Sequence, residues 1–414
     1  MAGTMSNAIT SPPIIGRAYY PALVAASTSM WAIILGPVLS TIPNQVDSIA
    51  PGNKVFGLAL VTGIAGIVGI VTNPLIGHLS DRTRTRFGRR IPWLLGGMAL
   101  ILPISIIIGH SRSILELALW WTLLQVGANM LMAPTSATIP DVVPERHRGM
   151  ASACLGIAAA AAPVLGTGVQ TLVSSPSQVY MILGGLICIA QLCFITTLRN
   201  DHTVPQAHYR TKKRMYWEHM IPRSKDFWLV CAHRILFGLG QNMALAYLFY
   251  YLQDVIHYAA QHPGRTTDDG VLLLTAIYAP CVIVAAIFAG SLTDRTGRFK
   301  WCLVTATLAF AIGAVLGAVT GSWTGVTILA ILTGLGYGTY ASTSMTMAIH
   351  LLPDSERRAR DLSLINVADL SAIALGPIAA ATSISLSGYP AVFITSGILT
   401  IASGAIITAI KKAH

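Results

Sequence analysis

The sequence predicts an all-α membrane protein of twelve transmembrane helices in two pseudo-symmetric six-helix bundles. Three observations predict it. Of 414 residues, 54% are apolar and only 10% are charged. Soluble domains carry about 25% charged residues, so the chain lacks the polar surface that water demands. Twelve continuous apolar runs follow one another, each near the roughly 20 residues that cross a bilayer. They do not alternate as the short strands of a membrane barrel do. Finally, the basic residues fall almost entirely on alternate loops, and the second half of the chain repeats marks of the first.

The runs cover 19–43, 55–80, 90–109, 114–139, 149–173 and 177–198 in the first half. In the second they cover 226–256, 270–292, 300–320, 324–351, 361–385 and 389–410. Ahead of the first run, residues up to Arg17 lack the basic stretch, short apolar run and cleavage site of a secretory leader. The second and eighth runs both end in Gly-x-x-x-Asp-Arg: Gly77 to Asp81-Arg82, and Gly290 to Asp294-Arg295. The fifth and eleventh carry Pro163 and Pro377, each following a Pro-acid turn at Pro144 and Pro353. Between runs six and seven lies the longest charged stretch, which divides the chain into bundle 1–198, linker 199–225 and bundle 226–414. Its basic residues suit solvent and anionic lipid.

Topology follows from the cations. The two termini and the even-numbered loops hold 23 Lys and Arg residues, and the odd-numbered loops hold 3. Basic loops stay on the cytoplasmic side, so both termini are expected there, in a plasma or bacterial inner membrane. The net charge of +11 is thereby explained without nucleic acid. The six cysteines show no paired or His-linked spacing, which argues against a disulfide or metal site. No phosphate-binding loop, nucleophile elbow or zinc-protease helix is present. The chain is therefore expected to be neither an enzyme nor ATP-driven, and to need no cofactor.

After run two stands Asn73-Pro74, then Gly77-x-x-x-Asp81-Arg82-Thr-Arg84-Thr-Arg86-Phe-Gly88-Arg89-Arg90, and after run eight the shorter Gly290-x-x-x-Asp294-Arg295-Thr-Gly297-Arg298. This paired signature resembles that of the major facilitator superfamily. The longer first form is similar to the glycoside–pentoside–hexuronide:cation symporters and the related sucrose transporters. The resemblance implies the major facilitator fold, a solute site between the bundles, and alternating access. It also implies a gating role for Gly77, Asp81, Arg82, Arg89, Gly290, Asp294, Arg295 and Arg298. The glycines are expected to let helix ends approach closely. The charges are expected to latch the halves on the cytoplasmic side in the outward-facing state.

Ionisable residues deep in a membrane are costly and usually functional. Asp369 lies eight residues past Asp361, about 12 Å inward. Arg234 lies at similar depth in run seven. Burial favours a neutral acid and a nearby arginine favours the carboxylate, so Asp369 with Arg234 is the expected proton-coupling pair. A static ion pair is the competing reading. Polar stripes mark an internal path: Gln125 and Asn129 in run four, Gln241 and Asn242 in run seven, Tyr337 and Tyr340 in run ten. Trp31 in run one and Asn366, one turn from Asp369, join them as expected substrate contacts. Amides with aromatic platforms suit a sugar, and they also suit amphipathic compounds.

The melibiose-permease branch of the resembling family carries carboxylates in helix 2. Here Gly63 to Asn73 contains none, so a proton is the expected coupling ion. The expected function is proton-coupled symport of a small solute, a sugar or glycoside, by a monomer. Proton-linked export of amphipathic compounds is the alternative, because Ala158-x-x-x-Ala162-Pro163-x-x-Gly166-Thr167 partly resembles a helix-5 pattern of drug antiporters. A solute-binding membrane sensor that does not transport is a third class.

Overall fold

The computed structural model describes residues 18–144, 147–173, 175–199, 225–351 and 358–410. The linker expected at 199–225 lies outside these residues except at its edges. The described residues form twelve long helices, and no strand. In the first half they are α1 Tyr19–Ile49, α2 Lys54–Arg82, α3 Ile91–Ile107, α4 Ile114–Val142, α5 Arg148–Leu172 and α6 Pro176–Arg199. In the second they are α7 Lys225–Asp254, α8 Thr267–Thr296, α9 Phe299–Thr320, α10 Trp323–Leu351, α11 Arg358–Ser387 and α12 Tyr389–Ala409. Eleven are both long and apolar enough to cross a membrane. The remaining one, α10, is as long at 29 residues, but Thr, Gly, Tyr and Ser dilute its apolar side chains.

Burial is arranged for lipid. Val71, Ile287, Phe288 and Val319 are more than 60% exposed, whereas Ser27, Thr167, Gln191, His233 and Ser403 are fully buried. Lipid offers polar groups no partner, so they turn inward. Most hydroxyls in the helices donate to a carbonyl one turn back, as Thr62 does to Leu58 and Thr167 to Pro163.

Several helix ends have local causes. The Thr266 hydroxyl accepts from the Asp269 amide while the Asp269 carboxylate accepts from the Thr266 amide, a capping box that starts α8. Gly297 ends α8 at φ 67°, a conformation that favours glycine. In α1, Pro37 lacks a backbone donor, and one widened turn over Pro37–Thr41 absorbs the defect. Helix α7 is interrupted at Tyr247. The break turns three phenols outward: Tyr247 donates to the Val55 carbonyl, Tyr250 to that of Pro43 and Tyr251 to that of Gly317.

The halves meet along α2–α11 and α5–α8. A Cβ on Gly66 would stand 2.6 Å from the Ala374 Cα, and one on Gly63 3.1 Å from the Ile378 side chain. Only glycine permits backbones that close. The Thr167 and Thr275 hydroxyls meet at 3.1 Å across α5 and α8.

Candidate functional site

The bonds joining the halves lie toward one end of the bundle, named here the Lys54 face. Lys54 reaches Asp254 at 2.9 Å and Asp47 at 3.4 Å, and its ammonium lies 4.9 Å from the Tyr250 ring centroid. Gln253 donates to Asp47, and Tyr389 donates to Asp254. Nearby, the Asp268 carboxylate of α8 accepts from Ser40 and from Asn44 of α1. Among the described residues, no hydrogen bond or ion pair joins the halves at the opposite end, the Arg90 face. The molecule is thus closed at the Lys54 face.

At the Arg90 face the charges pair within the first half. Arg90 binds Asp81 at 2.7 Å and Asp141 at 3.1 Å, and donates to the Ser80 hydroxyl. Arg89 binds Asp141 at 2.8 Å. These contacts tie α2, the loop after it and α4. The expected latch between halves is therefore not formed in this conformation: Asp81 pairs with Arg90 of its own bundle. Arg82, Asp294, Arg295 and Arg298 are exposed and have no ion pair among the described residues. In this conformation nothing lies within 4 Å of a Cβ built at Gly77 or Gly290. The close approach is at Gly63 and Gly66 instead.

The buried charge pair is formed. Arg234 grips Asp369 with two nitrogens, at 2.9 and 2.7 Å, and donates a third bond of 2.8 Å to the Ser344 hydroxyl. Its guanidinium carbon lies 5.7 Å from the Tyr340 ring centroid. A two-pronged guanidinium–carboxylate bond is the strongest neutralising arrangement available to these groups. The arginine side chain is 10% exposed and the aspartate 32%, so one side of Asp369 is open to the interior space. Asp369 lies five residues from Ala374, about 7.5 Å along α11, on the open side of the α2–α11 contact. Asn366, a turn further, is exposed.

An aromatic row leads from this pair. Tyr340 stacks on Phe237 with centroids 3.8 Å apart, Tyr337 lies 6.3 Å from Tyr340, and Tyr278 lies 6.4 Å from Tyr337. Gln241 sits beside Tyr278 and Tyr337. Behind the row, His233 is fully buried, shares a hydrogen bond with Ser403, and leaves its Nε2 without a partner. Sequence patterning had not singled out Tyr278 or Phe237. A tyrosine at mid-helix, away from the interfaces where aromatic rings usually sit, was the available signal for Tyr278. Phe237 gave none.

The other expected contacts fall elsewhere. Asn242 donates to Gly238 of its own helix, and its Cβ packs where Gly376 of α11 comes close. Asn129 donates to Thr72 and accepts from Asn73, fastening α4 to α2 within the first half. Gln125 and Trp31 are half-buried. The small residues of α5 serve packing: a Cβ on Gly166 would stand 2.5 Å from the Gly36 Cα, and Thr167 meets Thr275. No group of three or more potential metal-binding side chains occurs among the described residues.

The chain matches the family model described as Major Facilitator Superfamily over residues 21–267 and 266–412. It is 60% identical over 35 residues to an uncharacterized symporter of Synechocystis sp., covering 8% of this chain and 6% of that one. It is 29% identical over 96 residues to the sucrose transport protein SUC4 of Arabidopsis thaliana, 19% of each chain. The chain thus matches well under two thirds of the length of these relatives. Its fold is similar to a solved bacterial homolog of the human lysosomal transporter Spinster, in an inward-facing and occupied conformation. The TM-score is 0.73 at 14% identity, over 96% of this chain and 98% of that one.

Proposed function

Because this chain belongs to the major facilitator superfamily, a family of membrane transporters and not of enzymes, we propose that it moves a small neutral solute, a sugar or glycoside, together with a proton. The bundles are residues 1–198 and 226–414, and they rock about a solute site between them. The observation that carries the reading is the two-pronged Arg234–Asp369 bond inside the bundle, open on one side. It is reinforced by the absence of any carboxylate from Gly63 to Asn73, which argues against a sodium site there and for a proton as the coupling ion.

The chemistry is an exchange of partners. As a carboxylate, Asp369 holds Arg234. A proton on Asp369 removes the charge that holds the guanidinium and leaves Arg234 with Ser344 and the Tyr340 ring. Arg234 is then available to a hydroxyl of the solute, which the Tyr278–Tyr337–Tyr340 row supports from one flank. Loss of the proton restores the pair and expels the solute's hydrogen bond. By the distribution of basic loops, the Arg90 face is cytoplasmic. The conformation described is then open to the cytoplasm with the pair closed, the state expected after proton and solute have left.

The sequence similarity to a symporter and to a sucrose transporter supports a sugar and a coupling ion. Gly166 and Thr167 of the α5 pattern pack against α1 and α8, and proton-linked export of amphipathic compounds is the second reading. The test is uptake of labelled disaccharides by cells producing the protein. Accumulation abolished by a protonophore, and unaffected when potassium replaces sodium, supports symport. Strict sodium dependence, or efflux of amphipathic compounds with no sugar uptake, rejects it.

A further inference from the structure

The two halves treat equivalent cations differently. Aligning Asp81-Arg82-Thr83 with Asp294-Arg295-Thr296 equates the start of each loop, and aligning Arg90-x-x-Trp93 with Arg298-x-x-Trp301 equates its end. In the first half Asp81, Thr83, Arg90 and Trp93 are used internally, and Arg82 is left exposed. Arg90 is neutralised by Asp81 and Asp141, and the Trp93 indole donates to Thr83 at 2.8 Å. Among the described residues of the second half these pairings do not recur. Counted back from Pro144 and Pro353, the position of Asp141 is occupied by His350. Asp294 is exposed and does not pair with Arg298, so Arg298 has no ion pair among the described residues. Trp301 is 69% exposed, and the Thr296 hydroxyl donates back to Leu292 of its own helix.

What remains is a crevice of about 360 Å³ between the end of α8 and the start of α9, lined by Leu292, Thr296, Arg298, Trp301, Cys302 and Thr305. Its lining is mostly apolar and holds one charged side chain, Arg298, with Arg295 and Lys300 close by in sequence. One turn along α8 from Leu292, Phe288 is 68% exposed, so this side of the helix meets the acyl chains. A second apolar crevice, between α5 and α8, has no ionisable residue in its lining and so selects no headgroup.

We propose that the α8–α9 crevice is a binding site for one anionic phospholipid of the Arg90-face leaflet. Arg298 and Lys300 hold the headgroup phosphate, and Trp301 and Leu292 hold the upper acyl chain. The lipid phosphate supplies to Arg298 the negative charge that Asp141 supplies to Arg90. A basic rim at the membrane boundary beside an interfacial tryptophan is suited to an anionic headgroup, and the membrane offers that ligand at high concentration. The site is independent of which solute is moved, so it survives or fails separately from the symport reading.

The experiment is quenching of Trp301 fluorescence by acyl-brominated lipid in vesicles of phosphatidylcholine containing phosphatidylglycerol. The Trp301 signal is wild type minus Trp301→Phe. Half-maximal quenching is expected at a severalfold lower mole fraction for brominated phosphatidylglycerol than for brominated phosphatidylcholine. The preference is expected to vanish in Arg298→Ala and largely return in Arg298→Lys. Equal quenching by the two lipids, or a preference unchanged in Arg298→Ala, overturns the proposal. If Trp301→Phe alters folding, native mass spectrometry gives the same decision. One retained phosphatidylglycerol lost in Arg298→Ala supports the site, and retention equal to wild type overturns it.

Discussion

Arg234 makes three bonds at once, two to Asp369 and one to Ser344, above the Tyr340 ring. Removing one member of such a pair strands the other. Arg234→Ala is therefore expected to lower stability by about 3 kcal/mol, the lower end for a broken buried pair because Asp369 keeps some access to water. A thermal unfolding series in detergent reads this, and Asp369→Asn should also destabilise, because it leaves the more deeply buried Arg234 guanidinium without its counter-charge. Asp369→Asn should also abolish accumulation driven by a proton gradient while sparing solute exchange, measured as counterflow in proteoliposomes. Unchanged accumulation removes Asp369 from the coupling step. At this scale the depth of both charges was legible, because a helix rises by a fixed amount per residue. The Asn129 knot with Thr72 and Asn73 was not. A polar stripe marks an inward face but does not say whether it meets a neighbouring helix or the solute path.

Among the elements, α2 and α7 decide how the halves close. Helix α2 meets α11 where Gly66 faces Ala374. Gly66→Leu forces a side chain into that gap, at a cost of about 1–3 kcal/mol for overpacking. It should lower the melting temperature and open the Lys54 face, whereas Gly77→Leu should do neither in this conformation. The repeated motif advertised Gly77 and Gly290 as contact glycines, yet both face open space. The sequence pattern marks where a helix can approach another in some state, and a single conformation uses only the contacts of its closed face. The twelve helices themselves were legible, since each must satisfy its backbone internally in lipid. The break at Tyr247 was not, because it depends on Val55 and Pro43 carbonyls contributed by the other half.

For the whole molecule, the Lys54 face holds the closed end through Lys54, Asp47, Asp254 and Asp268, all within reach of the opposite bundle. Lys54→Ala leaves Asp47 and Asp254 facing each other without a cation. A cysteine placed at Gln170, 7% exposed beneath this clamp, should then react faster with an impermeant thiol reagent added from that side. An unchanged labelling rate shows that the clamp does not hold the face shut.

The central claim, that the interior carboxylate carries a proton with a solute, is tested most directly in proteoliposomes with a trapped pH dye. Sugars and amphipathic cations are added in turn to wild type and Asp369→Asn. The account predicts that at least one sugar acidifies the lumen with wild type and not with Asp369→Asn. A proton signal only with amphipathic compounds, opposite in direction to their movement, contradicts it. So does a sugar-driven signal that persists without the Asp369 carboxylate.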